Sequence, residues 1–173
     1  LDDQEVLSVE EQYDLLDAWL EIRIFPDVDG LSIYFRDVTE RKRRQQELER
    51  SRKRYRALVD TAPTAIVVTD AEDGEIVEIN QSAESLLGRS SETLSGKHHT
   101  ALHPSEDREL YKTLFRERLD SGAGMVSKHA DGSQVYVVTA DGERIPVEIS
   151  SQVIELENER LVQSVIRDVV KRS

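Results

Sequence analysis

The 173-residue chain reads as an α+β fold, one antiparallel sheet with short helices on one of its faces. Two observations predict it. Segments alternating at period two come in groups, a pair before several short helical segments and three after them, not interleaved with helices one by one. Turn chemistry also joins neighbouring strands closely enough for antiparallel pairing, at Asp70-Ala71-Glu72-Asp73-Gly74 and at Asp141-Gly142.

Residues 1–18 are acidic and weakly patterned. From Trp19 onward Leu20, Ile22 and Ile24 alternate with Glu21 and Arg23, and Pro26 to Gly30 is turn chemistry. Leu31, Ile33 and Phe35 then alternate with Ser32, Tyr34 and Arg36, so 19–37 predicts a β-hairpin with one apolar face. The period changes after Val38. Thr39 is a good N-cap, and 40–60 lacks Gly and Pro and is dense in Arg, Gln, Glu and Leu, which predicts a helix. Leu48, Tyr55 and Ala62 lie seven apart, with Leu58 and Val59 filling the seam, a weak heptad pattern that asks for a partner. Pro63 ends the helix. Ala65 to Thr69 and Ile76 to Ile79 predict a hairpin, and Asn80 caps a short helix that Gly88 stops. Ser91 to Gly96 suggests one further helical turn. Residues 97–104 form a His- and Pro-containing connection, and Leu110, Leu114 and Leu119 with Tyr111 and Phe115 mark a helix that runs out at Ser121-Gly122. Strands follow at about 134–140, 144–156 and 160–169.

Bulk properties narrow the function. No apolar run reaches the ~18–20 residues of a membrane span, and no signal peptide is evident, so a cytoplasmic setting is expected. With no cysteine, disulfides, thiolate nucleophiles, zinc-thiolate sites and flavin–thiol adducts are excluded. A net charge of −12, from 35 acidic against 23 basic residues, disfavours general nucleic-acid binding. Its sparse lysine and abundant carboxylate resemble proteins of salt-loving organisms. Phosphate loops, His-Glu-x-x-His and serine elbows are absent, so no catalytic residue is assigned and the chain does not read as an enzyme.

An internal repeat organises the chain. Ile33-Tyr34-Phe35-Arg36-Asp37-Val38 aligns with Ser164-Val165-Ile166-Arg167-Asp168-Val169, and Leu20-Glu21-Ile22 with Val147-Glu148-Ile149. Only the C-terminal hairpin is duplicated, which suggests a tandem-domain protein. The stretches Ala65-Ile66-Val67-Val68-Thr69-Asp70, Gly74-Glu75-Ile76-Val77-Glu78-Ile79-Asn80 and Ala83-Glu84-Ser85-Leu86-Leu87-Gly88 resemble the opening half of a PAS domain. Asp141 to Ile149 resembles its late strands, and Asp37-Val38-Thr39-Glu40-Arg41-Lys42 its exit motif. The resemblance implies a five-stranded sheet in the order 2-1-5-4-3, with short helices able to enclose a small ligand. It divides the chain into 1–38, the C-terminal remnant of an upstream PAS domain; 39–61, a signalling helix; and 62–170, a complete PAS domain. It also implies a cytoplasmic sensor within a histidine kinase, transducer or transcription regulator. That sensor would be a homodimer through helix 39–61, with an upstream PAS domain and a downstream output domain as partners. Val170 stands where the first copy has Thr39, so a second rigid exit helix is in doubt.

The expected ligand pocket is lined by Val68, Leu87, Leu102, Leu114, Ile149, Ser151, Ser164 and Ile166; the ligand itself is unknown. Ser151 and Ser164 replace Ile24 and Ile33 of the first copy on the face that should meet the helices. A buried hydroxyl needs a partner, either a main-chain carbonyl, an ordered water or a ligand. His98, His99 and His103 read as surface-loop residues ahead of a metal or haem site, because 105–121, where a haem ligand is expected by resemblance, holds no histidine. Helix 40–62 reads as a dimeric conduit ahead of an inert linker or a polyanion-binding element. A ligand-free interaction module is the rival reading of the whole. The remnant hairpin is expected to pack on a second chain or on the PAS sheet, since Trp19, Leu20, Ile22, Ile24, Ile33 and Phe35 form an apolar surface without cover.

Overall fold

The computed structural model describes residues 6–126 and 132–170. The chain divides into two compact units, the first ending at Arg56 and the second beginning at Ala57.

In the first unit β1 (Leu7–Tyr13), β2 (Ala18–Asp27) and β3 (Gly30–Asp37) form an antiparallel sheet in that order. The anticipated hairpin is therefore one strand short of the real element. β1 escapes the pattern because only Leu7 and Val9 are apolar on its paired face, opposite Ile24 and Ile22, and Glu10-Glu11-Gln12 follow. The β2–β3 turn is also tighter than expected. Pro26 and Asp27 still pair with Leu31 and Gly30, leaving Val28-Asp29 as the loop. Helix α1 (Thr39–Asp60) starts directly after β3. Its entry is pinned by Thr39, whose hydroxyl donates to Asp37 Oδ1 (2.6 Å) and accepts from the Trp19 N–H (2.9 Å). The Thr39 hydroxyl, together with the Thr39 N–H that also donates to Asp37 Oδ1 (2.9 Å), holds the Asp37 carboxyl below its usual pKa.

The second unit contains β4 (Ala65–Asp70), β5 (Ile76–Ile79), α2 (Gln81–Leu87), α3 (Ser91–Leu94), α4 (Arg108–Ser121), β6 (Ala123–Val126), β7 (Tyr136–Val138), β8 (Arg144–Glu155) and β9 (Arg160–Asp168). Tight 3-10 turns at His99–Leu102 and Ser105–Asp107 separate α3 from α4. The sheet runs β5-β4-β9-β8-β6, with β7 also on β8. Numbering β4, β5, β6, β8 and β9 as one to five gives the expected order 2-1-5-4-3. β6 lies where the sequence shows only the end of a helix, because Ala123-Gly124 carries no strand signal. Its pairing with Ser150 and Ser151 on β8 makes it a strand. Ala65, Val67, Ile76, Ile79, Ala83, Leu87, Leu94, Leu102, Tyr111, Val137, Val147 and Ile166 form the core.

The two units repeat one register. Ile22 faces Phe35 as Ile149 faces Ile166, Ile24 faces Ile33 as Ser151 faces Ser164, and Leu20 faces Asp37 as Val147 faces Asp168. The exit repeats as well. Val38 N–H donates to Trp19 O as Val169 N–H donates to Pro146 O, and Asp37 and Asp168 each accept from the amide two residues on. One bond is not repeated. Pro146 has no N–H, and Val170 has no hydroxyl to receive one. Donor and acceptor are missing together, which accounts for the Thr-to-Val exchange between copies. The copies also differ in cover. Leu31 and Phe35 are 68% and 64% exposed, whereas their counterparts Val162 and Ile166 are 1% and 3% exposed.

Asn80 ties the second unit together. Its fully buried amide accepts from Ile66 N–H (2.8 Å) and Ala83 N–H (3.0 Å). It donates to Val59 O (3.0 Å) and Thr64 O (2.9 Å). One side chain thus joins the end of α1, the start of β4 and the first turn of α2.

Two stability outcomes follow from these bonds. Asn80→Ala leaves buried donors and acceptors unpaired and should lower the unfolding free energy of the second unit by on the order of 3 kcal/mol, read by urea titration. Thr39→Val, the residue of the second copy, should cost about 1 kcal/mol in the first unit. Trp19, the only tryptophan, reports that transition by fluorescence.

Candidate functional site

A cavity of about 70 Å³ lies between α4 and the inner face of β6, β8 and β9. It is lined by His99, His103, Tyr111, Leu114, Phe115, Arg118, Val126, Ile149, Ser151 and Ser164. A single water needs ~10–15 Å³, so the space takes roughly five to seven water-sized positions. Pockets for drug-sized ring systems run to ~300–1,000 Å³, so a haem or a flavin exceeds it.

The cavity exists because of one cross-strand row. Gly124 on β6 faces Ser151 on β8, and Ser151 faces Ser164 on β9. The equivalent row of the first unit is Leu7, Ile24 and Ile33. Three large apolar side chains in one copy are a glycine and two serines in the other; the small serines leave open space, while the space over Gly124 is taken by Arg118. The serine hydroxyls satisfy each other at 2.8 Å, a pairing that the sequence alternatives did not include.

Of the expected lining, Leu114, Ile149, Ser151 and Ser164 meet in this cavity. Leu87, Leu102 and Ile166 are packed into the core beside it. Val68 pairs with Glu78 and Gln163, on the face opposite to Val67, because side chains alternate along a strand. His99, His103, Tyr111, Phe115, Arg118 and Val126 were not anticipated. Phe115 lay on the helical stripe and was within reach of the pattern. The sequence pattern reads the histidines as surface-loop residues.

The structure places His99 in the interior, with His98 and His103 partly exposed beside it. His99 is only 8% exposed and stacks on the Phe115 ring at 4.4 Å. His103 stacks on Tyr111 at 3.5 Å, and its Nδ1 donates to the Tyr136 carbonyl (2.8 Å). His98 bonds Thr100 Oγ1 (2.9 Å). Pro104 begins a new turn, and the 3-10 turn before it folds the histidines against α4, an arrangement that spacing alone does not reveal. The fourth histidine, His129, lies outside the described residues. Among the described residues no three His, Asp or Glu side chains converge in a metal-binding group.

Burial, aided by the charges of His98, His103 and Lys112, drives the His99 pKa down to about 3. Burial followed by Lys112 and Arg108 lowers that of His98, and burial pushes Tyr111 up to about 12. His99 is thus a neutral imidazole at neutral pH, with a buried Nε2 that has no hydrogen-bond partner among the described residues. The cation of the cavity is Arg118. Its guanidinium occupies the space over Gly124, where a Cβ would collide with Nη1.

The depressed His99 pKa has a pH consequence. Below an unfolded value of ~6.5 the unfolded chain takes up a proton that the folded chain refuses until about pH 3. Stability of the second unit should be full above pH ~6.5 and fall as the pH drops from there, by up to ~1.4 kcal/mol per unit from this group. Denaturant titrations at stepped pH check it, and His99→Phe should flatten the slope.

Comparison with known proteins agrees with the architecture. The family described as PAS fold matches residues 53–169. The chain is 34% identical over 99 residues to the two-component sensor PprA of Pseudomonas aeruginosa, covering 54% of this chain and 10% of that protein. It is 26% identical over 128 residues to the methyl sulfide methyltransferase-associated sensor of Methanosarcina acetivorans, covering 72% of this chain and 12% of that one. The chain thus spans about a tenth of the length of these curated relatives. Among solved structures, the PAS domain of an HTR-like protein from Haloarcula marismortui superposes with a TM-score of 0.60 at 27% identity, covering 74% of this chain and 99% of that one. A PAS domain from Colwellia psychrerythraea gives 0.58 at 26%, covering 69% and 98%. The register of the sheet, the short helices on its inner face and the family match over most of the chain lead to one assignment: the chain belongs to the PAS family, as a sensory domain of the kind found in two-component sensor proteins.

Proposed function

We propose that residues 62–170 sense a small molecule held in the α4–sheet cavity, within a larger cytoplasmic signalling protein. The observation that carries this reading is the Gly124–Ser151–Ser164 row. A copy of the same strands fills that row with Leu7, Ile24 and Ile33, so the register accepts large side chains and the open row is not imposed by the fold. Residues 7–37 act in the proposal as strands three to five of a second PAS core, and the exposed face of Leu31 and Phe35 is the surface that core's helices cover. Helix α1 carries the signal and pairs in a dimer along Leu48, Tyr55 and Leu58, which are exposed. A filled-core relay without ligand is the second reading, favoured by the small size of the cavity.

Native mass spectrometry of the full chain separates them. We expect a dimer with a mass excess that is lost on denaturation. Ser151→Val/Ser164→Ala, which fills the row and removes both hydroxyls, should lack the excess and remain folded. A wild-type chain that is apo, and whose melting midpoint no small solute moves, would establish the relay and end the sensor reading.

A further inference from the structure

We infer that the cavity takes a short-chain carboxylate, bound by the Arg118 guanidinium beside the Ser151–Ser164 pair and the buried imidazole of His99. This rests on the sensor reading above and specifies its ligand class.

Three observations carry it. First, Arg118 is half-buried in the cavity wall, yet no ion pair joins it to a carboxylate among the described residues. In the same unit Arg144 pairs with Glu106, Lys112 with Glu109 (2.9 Å) and Arg160 with Glu155 (3.3 Å). A half-desolvated guanidinium in a cavity wall, without an ion pair among the described residues, has donors to offer an anion held there. Second, Gly124 is what admits it. Any side chain there would occupy the guanidinium's place, so a strand position has given up its side chain to seat a cation at the cavity wall. Gly124 faces Ser151, and Arg118 shares the cavity lining with Ser151 and Ser164, whose hydroxyls can each donate to an oxygen once their mutual bond opens. Third, His99 belongs to the same lining, and its buried Nε2 has no hydrogen-bond partner among the described residues. As a neutral ring it can donate to a carboxylate oxygen.

Chemistry and size then fix the class. The planar fork of Arg matches a carboxylate bidentately. Leu114, Phe115, Val126 and Ile149 supply apolar wall for a short carbon chain. About 70 Å³ admits the few non-hydrogen atoms of acetate or propionate and not a longer dicarboxylic acid.

The test uses the full chain at constant ionic strength, with sodium acetate, sodium propionate, sodium nitrate and neutral acetamide as probes. Binding is read by calorimetry and by the melting midpoint. We expect acetate or propionate to bind and raise the midpoint, and acetamide to do neither. Arg118→Gln should weaken carboxylate binding by about tenfold or more. Gly124→Val, which keeps the arginine but displaces it, should do the same. Ser151→Val/Ser164→Ala should abolish binding. Acetamide binding as tightly as acetate, or acetate binding unchanged in Arg118→Gln, would overturn the carboxylate and leave the sensing cavity standing. Nitrate binding more tightly than both carboxylates would overturn it too, in favour of an inorganic oxyanion. If no probe binds and the purified chain is apo, the carboxylate and the sensor reading fail together.

Discussion

The antiparallel ladder between β8 and β9 is the constraint on which the rest of the second unit depends. It pairs Val147 through Glu155 with Asp168 through Arg160 without a break. Side chains alternate with a period of two, so a slip of one residue would turn Ile149, Ser151, Ser164 and Ile166 away from the helices. It would bring Glu148, Arg167 and Gln163 inward in their place. This register sets that the two hydroxyls meet, and the β6–β8 pairing sets that Gly124 faces Ser151 and leaves room for the Arg118 guanidinium from α4.

Asn80 performs the complementary task at the other end of the sheet. A buried primary amide has two donors and two acceptor sites, and here the amide donates to two carbonyls and accepts from two N–H groups. The carbonyl of Val59 near the end of α1 is one of those partners, and Ser82 Oγ donates to Ala62 O just beyond it (2.6 Å). The end of the connecting helix is therefore bonded to the strand and helix that form the opening half of the domain.

The duplicated strands show how one register serves two purposes. Where the inner row is Leu7, Ile24 and Ile33, the strands carry large apolar side chains, Leu7 and Ile33 among them exposed. Where it is Gly124, Ser151 and Ser164, there is a cavity with polar walls. At the exit the exchange runs through the backbone: Trp19 offers an N–H and Thr39 receives it, while Pro146 offers none and Val170 receives none. Such paired differences between copies are hard to see one residue at a time, because each alone reads as a neutral substitution.

Much of the architecture was legible in the sequence. Alternation along 65–69, 76–79, 144–155 and 160–168, the Asn80 cap and the Gly88 stop determine strands and helices through local geometry. The repeat of Arg36-Asp37-Val38 in Arg167-Asp168-Val169 determines that the two units share strands. Even the replacement of Ile24 and Ile33 by serines could be read without coordinates. What only the tertiary structure decided depends on distant neighbours. β1 and β6 are too polar or too small to announce themselves, and become strands because β2 and β8 offer them an edge. Val68 sits on the opposite face because β4 is bound to β9 in one register. His99 is buried because a 3-10 turn folds it onto Phe115, and Arg118 lines the cavity because Gly124, on another element, leaves it space. A sequence records the size and polarity of each side chain, but whether two of them meet is set by the register and packing of strands far apart along the chain.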